Sequence, residues 1–319
     1  MRRPMPVWRH FLLTLLLLAP ARSQKPIPIL FDTDIGDDID DALALALCLQ
    51  SPELEVRAVT TVIDDTELRT RLAWKQLGLY GRRDIPLATG APEPLLDPRH
   101  TSRARQFELL TAEDQAPASA RRHAAGFIID TLLASREKLT LVPVGPLTNI
   151  ALALKAEPRI KEKIERIVIM GGAFEMPRPE YNIRRDRAAA QIVFSSGVPI
   201  TAVGLDVTLK CKLEGRDLER LRAADNPASR FLVQLIGLWQ SRPDVYPTLH
   251  DPLAVAVAFR PSLVETQLGR VEVETSGALT QGLTLFTPDT RGATLVARHV
   301  NVRAFLDLFV ERLSAPPRR

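Results

Sequence analysis

The chain has 319 residues, 45% hydrophobic and 25% charged, with 42 Lys and Arg against 38 Asp and Glu. Residues 1–23 carry Arg2, Arg3, Arg9 and Arg22 and no acid, so subtracting those four leaves 38 basic against 38 acidic side chains. A balanced remainder without repeated basic–aromatic interleaving argues against a nucleic-acid partner, and the length allows one large domain or two small ones.

The N-terminus reads as a targeting segment. Three arginines precede an apolar run at 11–19, and Ala21 and Ser23 supply the small residues of a cleavage site. This is the layout of a secretory signal, short for a membrane span, with an uncleaved anchor as the alternative. The expectation is a signal over residues 1–23, a single domain over 24–319, a secreted or periplasmic location and no membrane span after cleavage. Of the two cysteines, Cys48 lies in an apolar stretch and reads as a small buried hydrophobe rather than half of a disulfide with Cys211.

From residue 27 onward, strand-like and helix-like runs alternate. Residues 27–31 form a buried strand and 42–49, rich in Ala and Leu, a buried helix. A strand at 55–62, an amphipathic helix at 66–80 and a turn at 84–86 come next. Residues 91–118 are polar and irregular, the kind of long loop that often serves as a lid. Strands follow at 138–144 and 166–170, separated by a helix at about 147–155. A second irregular loop covers 176–179, a candidate substrate wall, and then come a helix at 186–195, a strand at 199–204 and a helix at 253–259. The alternation predicts a single α/β domain of Rossmann-like character: a mostly parallel central sheet with helices on both faces, and ligands at the carboxyl ends of the strands.

Six carboxylates fall within residues 32–41: Asp32, Asp34, Asp37, Asp38, Asp40 and Asp41. Placed at one strand-to-helix junction, they repel one another unless a cation holds them, and hard oxygen donors suit Ca²⁺ or Mg²⁺. If the strand runs far enough, Asp32 and Asp34 share one side and Thr33 faces the other. Asp40 and Asp41 open the following helix, where backbone N–H groups favour negative charge. Far along the chain, His250-Asp251-Pro252 precedes the helix at 253–259, so Asp251 can complete the cation site while His250 titrates near neutrality beside it.

These pieces together resemble the inosine-uridine-preferring nucleoside hydrolases, N-ribohydrolases that bind Ca²⁺. The matching motifs begin with Asp32-Thr33-Asp34-Ile35-Gly36, Asp40-Asp41-Ala42, Val144-Gly145-Pro146-Leu147-Thr148-Asn149 and Met170-Gly171-Gly172-Ala173. They continue with Glu180-Tyr181-Asn182-Ile183, Asp186, Gly204-Leu205-Asp206-Val207-Thr208 and His250-Asp251-Pro252. The resemblance implies Ca²⁺ ligands at Asp34, Asp41, the Val144 carbonyl and Asp251. It further implies sugar contacts from Asp40, Glu180 and Asn182, and a substrate contact from Asp65, which stands where the family often has Asn. Asp34 would be the base that activates water and His250 the acid for the leaving base. A nucleoside substrate and a homo-oligomer follow from the same resemblance.

Three departures stand out. The first motif is two residues longer than the common form, leaving Asp38 as an extra acid. The loop between Gly172 and Glu180 lacks the family's Gly-Asn step, and the usual His-Gly segment is replaced near Ala104-Arg105-Gln106-Phe107. Two other readings compete. Residues 30–34 resemble the opening of haloacid-dehalogenase-type phosphatases, although Gly-Thr does not follow. A secreted, calcium-dependent nucleoside- or sugar-binding protein without turnover is the non-enzymatic alternative.

Overall fold

The computed structural model describes residues 25–97 and 104–318; the expected signal at 1–23 lies outside them. The first half contains β1 (Ile27–Thr33), α1 (Asp40–Gln50), β2 (Leu54–Thr61), α2 (Thr66–Leu79), β3 (Leu87–Ala88), α3 (Ala124–Ala134), β4 (Leu139–Pro143) and α4 (Thr148–Ala156). Then follow β5 (Ile164–Met170), α5 (Tyr181–Arg185), α6 (Arg187–Phe194), β6 (Ile200–Val203), α7 (Leu205–Thr208), α8 (Gly215–Arg222) and α9 (Pro227–Trp239). The chain closes with α10 (His250–Phe259), β7 (Val264–Val273), β8 (Thr284–Pro288), β9 (Thr294–Val300) and α11 (Val302–Ser314).

The strands make one nine-stranded sheet in the order β3-β2-β1-β4-β5-β6-β9-β7-β8. From β3 to β9 every pairing is parallel; β7 pairs antiparallel with both β9 and β8. The chain starts in the middle at β1, works outward to β3, then returns to the other side of β1 as β4. At that reversal the connections leave in opposite directions, which opens a crevice beyond the carboxyl ends of β1 and β4. The last five residues of β1 and all of β4 are buried, as central strands covered on both faces must be.

One apolar cluster on the sheet includes Leu43 and Leu47 of α1, Val255 of α10, and Phe305 and Phe309 of α11. The other joins Ile128 of α3, Leu154 of α4 and Val193 of α6. Every residue of α1 is buried, because α10 and α11 pack on the sides that the sheet leaves open. A helix apolar all round is therefore explained by its position. Cys48 and Cys211 are both free and buried, in line with the small-hydrophobe reading.

The sequence pattern did not reveal the far side of the sheet. β7 carries Glu265, Arg270 and Glu272, and β8 is mostly exposed, so neither shows a buried-strand run. Helices α3, α8, α9 and α11 were likewise unread. Among the described residues, no helix is long and apolar enough to cross a membrane.

Candidate active site

The crevice between β1 and β4 is a cleft of about 420 Å³, within the range of small-molecule sites. Its lining includes Asp34, Asp40, Asp41, Val144, Glu180, Asn182, His250 and Asp251. Every expected site residue except Asp65 is thus brought together, from segments more than two hundred residues apart in sequence.

Local structure explains how each is held. Strand β1 stops at Thr33, so the alternation does not carry Asp32 and Asp34 onto one face. Asp32 turns into the sheet, where its Oδ1 accepts hydrogen bonds from the Thr60 hydroxyl and from Asn149 Nδ2 at 2.8 Å. Burial raises its pKa to about 7. Asp32 is therefore a brace between β1, β2 and α4. Thr33 donates its hydroxyl to Asp41 Oδ1 and accepts the Ile35 N–H at 3.1 Å, which ties the strand end to the start of α1.

Asp34 reaches over Gly145. A Cβ at that glycine would stand 2.5 Å from Asp34 Oδ1, so the close approach requires the missing side chain. The Val144 N–H donates to the Asp32 carbonyl at 2.8 Å, and the Val144 carbonyl accepts from Asn182 Nδ2 at 2.6 Å. Glu180 caps α5, its two oxygens accepting the N–H groups of Asn182, Ile183 and Gly172 at 2.8, 3.0 and 3.3 Å. From the other side, α10 delivers His250 and Asp251, and the Asp251 N–H donates to Asp40 Oδ2 at 3.0 Å.

The chain matches the family model "inosine-uridine preferring nucleoside hydrolase" over residues 29–307. It belongs to that family. Similar curated proteins include the pyrimidine-specific ribonucleoside hydrolase RihA of Citrobacter koseri, 38% identical over 312 residues, covering 90% of this chain and 98% of that one. A plant nucleoside hydrolase superposes with a TM-score of 0.81 at 30% identity, over 92% of this chain and 100% of its own. The purine-preferring ribonucleoside hydrolase of Gardnerella vaginalis gives 0.77 at 31% identity, over 90% and 98%. Membership sets aside the phosphatase alternative for residues 30–34. The relatives' names divide between pyrimidines and purines, so family membership leaves the base open.

Nucleoside hydrolases of this family are metal-dependent, and the donor set here fits a cation. One oxygen from each of Asp40, Asp41 and Asp251 lies within 4.8 Å of the others, and all three side chains are buried. Oxygens bound at 2.3–2.6 Å to a common Ca²⁺ stand at most about 5 Å apart, so this spacing suits a shared ion. Burial first, then mutual repulsion, pushes the pKa of Asp40, Asp41 and Asp251 well above the carboxylate range. Asp34, which adds to the repulsion on all three, is raised to about 7 mainly by burial, although Arg69 opposes the shift. The tight triad differs from the expected ligand set by including Asp40; Asp34 and Val144 line the same cleft.

Sequence reasoning missed Arg69. It is 1% exposed and donates to the carbonyls of Ile63 and Ile35 at 2.8 and 3.0 Å and to Asp37 Oδ2 at 2.8 Å. Its charge acts on Asp34 and Asp41. The available signal was an arginine in helical register with Leu72, Ala73 and Gln76 on the buried side of α2. The longer first motif also has a support. Gln106 Nε2 donates to the carbonyls of Asp37 and Asp38, at 3.2 and 2.7 Å, and Phe107 covers Gly36. Asp38, the extra acid, accepts the Ile39 N–H at 2.7 Å and stands at the cleft wall. The irregular stretch at 91–118 thus docks on the acidic corner through its 104–110 portion.

Two expectations change. Asp65 is exposed at the start of α2 and does not line the cleft; its neighbour Asp64 is the buried acid, paired with Arg185 at 2.8 Å. Ile63 and Asp64 both adopt positive φ, which turns the chain so that Asp64 faces in. His250 does not titrate near neutrality in the metal-free protein: burial, helped by the Arg178 charge, lowers it to about 4. Its Nδ1 lies 2.7 Å from the Thr208 hydroxyl, so the neutral ring is held in place.

Proposed function

We propose that the cleft beyond β1 and β4 is where this nucleoside hydrolase breaks the N-glycosidic bond of a ribonucleoside, releasing ribose and free base. The observation that carries the assignment is the convergence of Asp34, Asp40, Asp41 and Asp251 from two ends of the chain in one buried cleft. The resident ion is Ca²⁺, held by Asp41, Asp251, the Val144 carbonyl and one or both of Asp34 and Asp40. Held there by these residues, such an ion would supply a site for orienting water and for binding the ribose diol. Asp34 takes the proton from the attacking water, a role suited to a carboxylate buried near the reacting carbon. Glu180 and Asn182 hold sugar hydroxyls. The remaining negative charge favours the positive character that develops on the ribose as the bond breaks.

Export through residues 1–23 belongs to the same reading, supported by their basic start, apolar run and small-residue end. So does a homo-oligomer, by similarity to the family. Purified protein mixed with a nucleoside panel should release free ribose, and the rate should vanish with chelator and return with Ca²⁺. Saturable nucleoside binding without ribose would instead identify a non-catalytic binder.

A further inference from the structure

Base recognition deepens the reading above and rests on it. Seven carboxylates line the cleft, and against them stands one lysine or arginine among the lining residues, Arg178. Its guanidinium makes no hydrogen bond or ion pair with any described residue, although acids are close by. The 173–179 segment that carries it is anchored at its start, where the N–H groups of Phe174 and Glu175 donate to Asp206 at 2.8 and 2.9 Å. Arg178 therefore projects from a braced loop with all five donors uncommitted.

The surfaces around it say what the donors meet. Tyr181 and Leu209, 41% and 38% exposed, line the same cleft and are among the protein's few exposed large hydrophobics. A nucleoside has one end rich in hydroxyls and one flat, largely apolar ring. The hydroxyls belong with the carboxylates and their cation. The ring belongs against Tyr181 and Leu209, which places its polar edge toward Arg178.

We infer that Arg178 contacts the far edge of the leaving base and selects bases that carry a carbonyl oxygen there, O4 of uracil and O6 of hypoxanthine, over cytosine and adenine, which carry an exocyclic amine at the same place. As the C1′–N bond breaks, its electron pair passes to the base, and in uracil that charge spreads onto ring carbonyl oxygens. Water adds its oxygen to C1′ and yields one proton to Asp34. The base anion, held by the guanidinium fork, takes up a proton from solvent on release, and Asp34 returns its own. An exocyclic amine is a donor and meets the Arg178 donors unfavourably, so amino bases gain less.

The test is kcat/KM for uridine, cytidine, inosine and adenosine with the wild-type protein, R178Q and R178K. R178Q should lose roughly 10- to 100-fold on uridine and inosine, the size of a charge-assisted hydrogen bond, and about threefold or less on cytidine and adenosine. R178K, which keeps charge without the fork, should fall between. Because the side chain is exposed and unpartnered, Tm should be unchanged in both variants. Equal losses on all four nucleosides, or an unchanged uridine rate, would overturn the assignment while leaving the hydrolase reading intact. A wild-type protein that releases ribose from none of the four would sink the hydrolase reading itself.

Discussion

Two groups of buried acids sit within this fold and behave differently. Glu180, Asp186 and Asp206 each have protein donors arranged around them: helix-start N–H groups for Glu180, Ala189 and Leu95 N–H with the Thr148 hydroxyl for Asp186, and a loop's N–H pair for Asp206. Asp34, Asp40, Asp41 and Asp251 instead crowd one another; among the described residues, Asp40 and Asp41 have a single backbone donor or hydroxyl each, and Arg69 is the fully buried cation nearby. Acids of the first kind organise chain. Those of the second kind store repulsion that a divalent ion relieves, so the arrangement is costly without one.

Removing the ion should have the largest effect on this contrast. Chelation should abolish ribose release and leave the metal-free protein sensitive to pH in a defined direction. Asp34 is raised to about 7 from 3.8, and Asp40, Asp41 and Asp251 are also raised well above their usual value, so the folded protein keeps protons that the unfolded chain sheds. That stabilisation is complete below about pH 4 and is lost as pH rises through about 7. Thermal unfolding from pH 5 to pH 8 should therefore show Tm falling in chelator and the gain from Ca²⁺ growing over the same interval. A Ca²⁺ gain that does not change with pH would remove the acid cluster as its origin.

Next in size is Asp34→Asn, which should lower kcat by roughly 100- to 10,000-fold, the range of a lost general base, with the far-ultraviolet circular dichroism preserved. Near-normal turnover would reassign the base. Arg69→Gln tests the support of the corner and should cost about 3–5 kcal/mol in urea unfolding of the metal-free protein, because buried acids lose their one buried counter-charge. Added Ca²⁺ should recover part of that loss. The smallest effect belongs to Asp65→Ala: as a change to an exposed residue outside the cleft, it should alter stability by no more than about 0.5 kcal/mol. Its kcat/KM should match the wild-type value in the ribose assay, and a tenfold loss would bring Asp65 back into the site.

What could be read from residue order alone was whatever depends on neighbours in sequence. The apolar runs located β1, β4, β5 and β6, and the acid spacing at 32–41 with His250-Asp251 identified the corner and its distant partner. Family motifs supplied the pairing between them. Only the folded chain decided which acids face one another: β1 stopping at Thr33 sends Asp32 into the sheet and Asp34 over Gly145, and the positive-φ turn at Ile63 and Asp64 exposes Asp65. The same holds for Arg69, which is unremarkable along the chain, and for Gln106 and Arg178, whose segments at 104–107 and 176–179 stand out in the sequence while their individual roles come from proximity. Periodicity reports which side of an element is buried, whereas charge and hydrogen bonding act through space, between atoms whose separation no local pattern encodes.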